Sequence, residues 1–270
     1  MRTTVDPAAV RAAVETASVR LASLLRSATA PSAPALGEWN VTDLAVHISL
    51  AVDAVTAMAR GSDSVLDDLW DLSTLSGVLV RGESERSLPA VTDRIQAGVA
   101  AFLAVLDAAP PDDRRQWLVK GVEVPLTLLT SQVLNELTVH GRDIAVAEGV
   151  PWPIQRSHAT LILLGFLFPS LGGLGRAMVD QEAAAGVEAT FEVRLRGGGR
   201  SYLRFDSGDL SVSSDAPGPV DCHLSVDPET FLLVAWGRLG QWPAIGRGRL
   251  LAWGRRPWLG PKLRGMLRNP

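Results

Sequence analysis

The sequence predicts an N-terminal four-helix bundle over residues 1–150, followed by an α+β domain over 151–270 built on an antiparallel sheet. Three observations predict it. Four long segments before residue 150 each carry one apolar face, the pattern of helices packed in a bundle. Two prolines, Pro151 and Pro153, form a linker where the composition shifts. Beyond them come short strand-like runs separated by glycine-rich turns such as GGGR and DSGD.

The elements follow in order. Asp6 before Pro7 is a helix start, a side-chain cap with proline at the first helical position. Val10, Val14, Leu21, Leu24 and Leu25 give that helix its stripe, and the Ala- and Pro-rich stretch 30–37 ends it. A second helix starts at Asn40 or Thr42 and runs to about Arg60, with Leu44, His47, Ile48 and Ala51 on its stripe. A short helix is predicted around Leu66 to Leu79. A third long one spans about Leu88 to Ala108, stopped by Pro110 and Pro111. The fourth begins near Thr127 and ends at Gly149, a natural C-cap. In the second domain a helix spans about Gln155 to Phe168. Strands are expected at 189–196, 201–205, 209–215 and 220–227, then a helix from Pro228 to Trp236 and a strand near Gly246 to Ala252. A basic helix ending in LRGMLRNP closes the chain.

Composition sets limits. Hydrophobic residues are 47% and charged residues 20%, enough for a packed core. A net charge of −3 gives no support for nucleic-acid binding. The single cysteine, Cys222, excludes an internal disulfide, so a reducing, cytoplasmic compartment is the expectation. The N-terminus MRTTVDPAAV lacks the apolar core of a signal peptide. The most apolar stretch, Ala159 to Gly175, contains Pro169 and four glycines and reads as a buried helix, with no membrane span.

The chemistry-bearing residues concentrate in the segment TSQVLNELTVHGRDIAVAEG. Glu136 and His140 stand four apart, which stacks their side chains on one helix face. They could hold one divalent metal, with His47 of the second helix as a third ligand. Three protein ligands leave coordination positions open, as in catalytic sites. The spacing equally allows a weakly paired solvated face. Against that, Leu129, Val133, Leu137, His140 and Ile144 continue one stripe, and a buried carboxylate beside it needs a strong partner. Asp143 could orient an imidazole or be a surface charge paired with an arginine. Cys222 and His223 are adjacent in a strand and so face opposite ways. Cys222 reads as a small core residue, His223 as an exposed or edge residue, and His158 as a surface residue opening its helix. The basic run Arg247, Arg249, Arg255, Arg256, Lys262, Arg264 and Arg268 reads as a solvated face. Trp236, Trp242, Trp253 and Trp258 are expected to pack the second domain's core.

The pattern WNVTDLAVHI at 39–48, with PLTLLTSQVLNELTVHGRDIA at 125–145, resembles the mycothiol-dependent maleylpyruvate isomerase family. The resemblance implies a DinB-like four-helix bundle holding a divalent metal, usually zinc, on His47, Glu136 and His140. An aspartate three residues after the last ligand, as Asp143 is here, is common in that family. The runs VDPETFLLVAWGR and AIGRGRLLAWG look like the sterol-carrier-like domain that many members carry. The implied chemistry uses mycothiol, a low-molecular-weight thiol of actinobacteria, on a small electrophile, by cis–trans isomerisation or S-transfer. Arg238 is the first candidate for a cation that grips an acidic substrate. The competing readings are an apolar-ligand-binding or regulatory protein with a metal-stabilised bundle, and a metal-dependent hydrolase.

Overall fold

The computed structural model describes residues 5–64 and 66–268, which divide into two compact units, 5–154 and 155–268. Residues 1–4 at the head of the first predicted domain, and the last two of the predicted C-terminal helix, lie outside the described residues.

The first unit is helical. Helix α1 (Pro7–Arg26) starts where Asp6 accepts a hydrogen bond from the Ala8 amide, and it buries all five residues of its predicted stripe. A short hairpin, β1 (Pro34–Leu36) and β2 (Trp39–Asn40), leads into α2 (Val41–Ala59). Asn40 and Asp43 form a reciprocal capping box there, which satisfies backbone donors at the helix entry. Helix α3 (Leu72–Gly82) lies slightly later than predicted, because a 3-10 turn at Leu69–Asp71 precedes it. Helix α4 (Leu88–Asp107) packs against α1 and α2. A second hairpin, β3 (Arg114–Gln116) and β4 (Glu123–Pro125), delivers the chain to α5 (Leu126–Asn135).

Helix α5 differs from the sequence reading, which gave it a single apolar face. All ten of its residues are buried. Three of its polar members are hydrogen-bonded: Thr130 and Ser131 donate to carbonyls four residues back, at 2.8 and 2.9 Å, and Gln132 accepts from Trp117 Nε1 at 2.9 Å. The helix continues through a widened π turn, Glu136–His140, into α6 (Gly141–Ala147).

The second unit opens with one long helix, α7 (Arg156–Ile162), a π turn at Leu163–Leu167 and α8 (Phe168–Leu174). It runs past Pro169, where the sequence predicted a stop. The Phe168 amide bonds back to Leu163 O, so the wide turn absorbs the mismatch that proline brings. By length and apolarity this helix (Arg156–Met178), α2 and α4 could each cross a membrane, against the reading that Ala159–Gly175 falls short. A third to just over half of each is buried within the protein.

The sheet holds β5 (Ala189–Leu195), β6 (Arg200–Asp206), β7 (Asp209–Ser213), β8 (Cys222–Val226) and β9 (Leu250–Trp253), in the order β7-β6-β5-β8-β9. It is antiparallel except for its central pair: β5 and β8 run parallel, a departure from the all-antiparallel expectation. The β5–β6 turn is Gly197–Gly199, all three at positive φ, which only glycine adopts without strain. Helices α9 (Pro228–Ala235) and α10 (Gln241–Gly246) connect β8 to β9. The basic C-terminal segment is a run of 3-10 turns, Pro257–Met266, rather than an α-helix, since Pro261 interrupts it.

Phe191, Val193, Leu203, Phe205, Cys222 and Leu224 face the core. The tryptophans mostly do not, contrary to expectation. Trp236 stacks on Phe166, whereas Trp242, Trp253 and Trp258 are 66%, 40% and 60% exposed. Of the basic run, Arg249 pairs with Asp227, and Arg255 and Arg256 with Asp221.

A candidate metal centre in the helical unit

Capping at Asn40 fixes where α2 begins and so sets His47 two turns in, on its inward face. The Glu136–His140 turn faces it. The Nε2 atoms of His47 and His140 lie 3.6 and 3.3 Å from the same oxygen, Glu136 Oε2. The two imidazoles stand edge to face, with centroids 5.0 Å apart. All three side chains are largely buried, and their ligand atoms lie within 4.8 Å of one another. Two ligands each about 2.1 Å from one ion sit roughly 3.4 Å apart at a tetrahedral angle. The 3.3 and 3.6 Å separations match that, so the donor set fits a divalent metal.

The electrostatics agree. Burial alone would raise the Glu136 pKa, but its contacts with His140 and His47 outweigh burial and hold the carboxyl well below its usual range. Burial would lower the pKa of His140; Asp143 and Glu136 reverse this and push it up to about 9. Asp143, 5% exposed, has Oδ2 at 3.2 Å from His140 Nδ1. Its sequence alternative, a surface charge, is not what the structure shows. A π turn at these candidate ligands is in character, since such insertions concentrate at functional sites.

Sequence reasoning missed Trp39, whose ring lies 4.8 Å from that of His47. It stood in the quoted WNVTD pattern, but only as the start of a helix. Behind the site, Trp152 covers Gly141 and donates to Thr138 O at 3.3 Å, with the Arg20 guanidinium 3.8 Å above its ring.

The remaining candidates lie in the second unit. Arg238 is half-buried and donates to Trp236 O at 2.7 Å. His158 is half-buried rather than on the surface. Cys222 is buried as expected, and burial pushes its thiol up to about 11. His223 is neither exposed nor on an edge strand. It sits in β8 between β5 and β9, with Nδ1 at 2.5 Å from Glu192. Glu192, in the middle of an alternating strand run, carried no sequence signal at all.

Comparison with known proteins gives the context. Residues 6–145 match the family model of the mycothiol maleylpyruvate isomerase N-terminal domain, and residues 173–254 match the SCP-2 sterol transfer family. A crystal structure of a mutant mycothiol-dependent maleylpyruvate isomerase is 12% identical, with a TM-score of 0.50, over 93% of this chain and 95% of that one. Apo sterol carrier protein 2 from Yarrowia lipolytica is 21% identical over 28% of this chain and 71% of that one, with a TM-score of 0.23. The sec-alkylsulfatase Pisa1 of Pseudomonas sp. is 15% identical at a TM-score of 0.33; the match covers 87% of this chain and only a third (33%) of that protein. No curated protein matches. With the first family model spanning just over half of its length, the chain belongs to the mycothiol maleylpyruvate isomerase N-terminal domain family.

Proposed function

We propose that His47, Glu136 and His140 hold one divalent metal ion, zinc by the character of the donors, and that the protein is an enzyme using a low-molecular-weight thiol. The thiol proposed is mycothiol, and the reaction a cis–trans isomerisation or S-transfer on a small electrophile. The observation that carries this reading is the convergence of both imidazoles on one buried oxygen of Glu136. Family membership supports the choice of thiol.

A divalent ion bound there would supply Lewis acidity that deprotonates a coordinated thiol. The chain's own residues do the rest. Asp143 accepts from His140 Nδ1–H, which leaves the Nε2 lone pair turned toward Glu136. Glu136 contributes the negative charge. Trp39 packs on the His47 ring and limits its rotation. Cys222 is buried, with its pKa raised to about 11, so it is a poor nucleophile and the thiol comes from outside. A reducing cytoplasm suits such a reaction. Arg238 is proposed as the cation for an acidic substrate; an Arg238→Ala protein that binds metal and keeps full activity would remove it.

The deciding measurement is metal content by elemental mass spectrometry of wild type beside His47→Ala and Glu136→Ala. One ion per chain, lost in both variants, supports the reading; a wild type that takes up no added zinc ends it. Thiol dependence of turnover then separates this enzyme from a hydrolase. A second reading, for residues 155–268, rests on the match to the sterol transfer family, which supports an apolar ligand there. Its test is uptake of a fluorescent fatty acid by the metal-free protein, and no uptake would discard it.

A further inference from the structure

The solvent face of the second unit's sheet is organised in two rows that cross four strands. Register places Tyr202, Glu192, His223 and Trp253 side by side on β6, β5, β8 and β9. The next row is Arg200, Arg194, Ser225 and Leu251. The alternate residues point to the core.

The first row is tightly tied. Glu192 is 1% exposed yet lies on the outer face, covered by its neighbours. It accepts from Tyr202 OH at 3.2 Å, meets Arg194 at 2.8 Å and His223 at 2.5 Å, and lies 3.6 Å from Arg200. Trp253 stacks on the His223 ring, with centroids 5.4 Å apart, and lies 5.4 Å from the Arg194 guanidinium.

The second row carries an excess of positive charge. Arg194 and Arg200 stand directly opposite each other on neighbouring strands, a like-charge pairing that costs stability. Arg196, just past the end of β5, bonds only neutral oxygens among the described residues: Ser225 Oγ at 3.2 Å, Ser225 O at 3.4 Å and Gly248 O at 2.7 Å. Arg194 and Arg200 therefore share the single carboxylate of Glu192, and Arg196 beside them meets no carboxylate among the described residues. Beside them, Trp253 and Leu251 are 40% and 49% exposed. Three guanidinium groups against one carboxylate leave positive charge in excess beside exposed apolar side chains, a combination that folding alone does not require. A ligand carrying an anionic group on a flat apolar body uses both.

We propose that Arg194, Arg196 and Arg200, flanked by Trp253 and Leu251, form a binding site for a small carboxylate or phosphate attached to a flat apolar group. Its residues belong to the second unit, whereas His47, Glu136 and His140 belong to the first. Arginine forks match both anions, and the indole face and Leu251 cover the apolar part.

Calorimetric titration of the full chain with 2-naphthoate, beside its neutral twin 2-naphthamide, tests this. The naphthoate binds, and the amide binds at least tenfold more weakly. Binding persists in His47→Ala, and falls at least tenfold in Arg200→Gln and in Arg196→Gln. Arg200→Gln also melts at the same temperature as wild type or higher, because the opposed charges are relieved. An Arg200→Gln protein that melts lower and binds naphthoate as well as wild type would show that the arginines only clamp Glu192. Wild type that ignores naphthoate but co-sediments with phosphatidylglycerol vesicles would overturn the small ligand in favour of a membrane surface.

Discussion

Oδ2 of Asp143 lies 3.2 Å from Nδ1 of His140, while Nε2 of the same ring faces Glu136 at 3.3 Å. One imidazole is thus held between two carboxylates, one at each ring nitrogen.

Asp143→Asn keeps the shape and removes the charge that orients the ring. Loss of such a partner lowers metal affinity roughly 10–100-fold. Competition for zinc with a chelating dye reads this out directly. Unchanged affinity would mean that Asp143 serves the helix rather than the metal ligand.

In metal-free protein the His140 imidazole keeps its proton to higher pH than a free one. The His140 pKa is raised from 6.5 to about 9 in the folded state. A raised histidine contributes stability that is fully present below pH 6.5 and is lost as pH rises through 9. Urea melts of the metal-free protein between pH 6 and 9.5 therefore show falling stability, and His140→Gln flattens the slope. Zinc-loaded protein gains stability with pH over the same window, because binding displaces the proton.

At the sheet, the sign reverses. Burial would raise the Glu192 pKa, but Arg194, His223 and Tyr202 hold it down, from 4.5 to about 2. Its stabilising contribution is present above pH 4.5 and is lost as pH falls toward 2. Glu192→Gln loses that part of the acid dependence, measurable as a flatter thermal-melt profile between pH 5 and 2.5.

Gly141 follows the last proposed ligand, and a Cβ there would meet Trp152 Cζ2 at 2.7 Å. Alanine favours a helix over glycine by about 1 kcal/mol. Overpacking costs about 1–3 kcal/mol, and the Trp152 ring is pinned by Thr138 O and Arg20, so it cannot easily yield. Gly141→Ala therefore destabilises on balance, by up to about 2 kcal/mol, and weakens zinc binding because the turn carrying His140 shifts. A variant more stable than wild type would show that Trp152 gives way.

The helices and the site were legible where local chemistry sets them. Asp6 with Pro7 is a cap written within two residues, and it located α1; the start of α2 was read only as Asn40 or Thr42, and the Asn40–Asp43 capping box that fixes it emerged with the structure. Glu136 and His140 were legible because four-residue spacing carries its own geometry. The meeting with His47 depends on packing between helices, which periodicity does not encode. Proline misled at Pro169, where a π turn let the helix continue, and a two-residue alternation could not distinguish a parallel from an antiparallel neighbour. Glu192 was silent and Trp253 was misread as core, because their places are set across strands, in register.

The parallel pairing of β5 with β8 also shapes how the second unit assembles. Strands β5, β6 and β7 follow one another through tight turns and can pair as soon as they leave the ribosome. Strand β8 must then find the free edge of β5 across an intervening meander, a non-local closure of the kind that slows folding. Until residues 222–226 arrive, that edge is the exposed backbone on which a neighbouring chain could template. Chains truncated before Cys222 are therefore expected to aggregate more readily than the full chain.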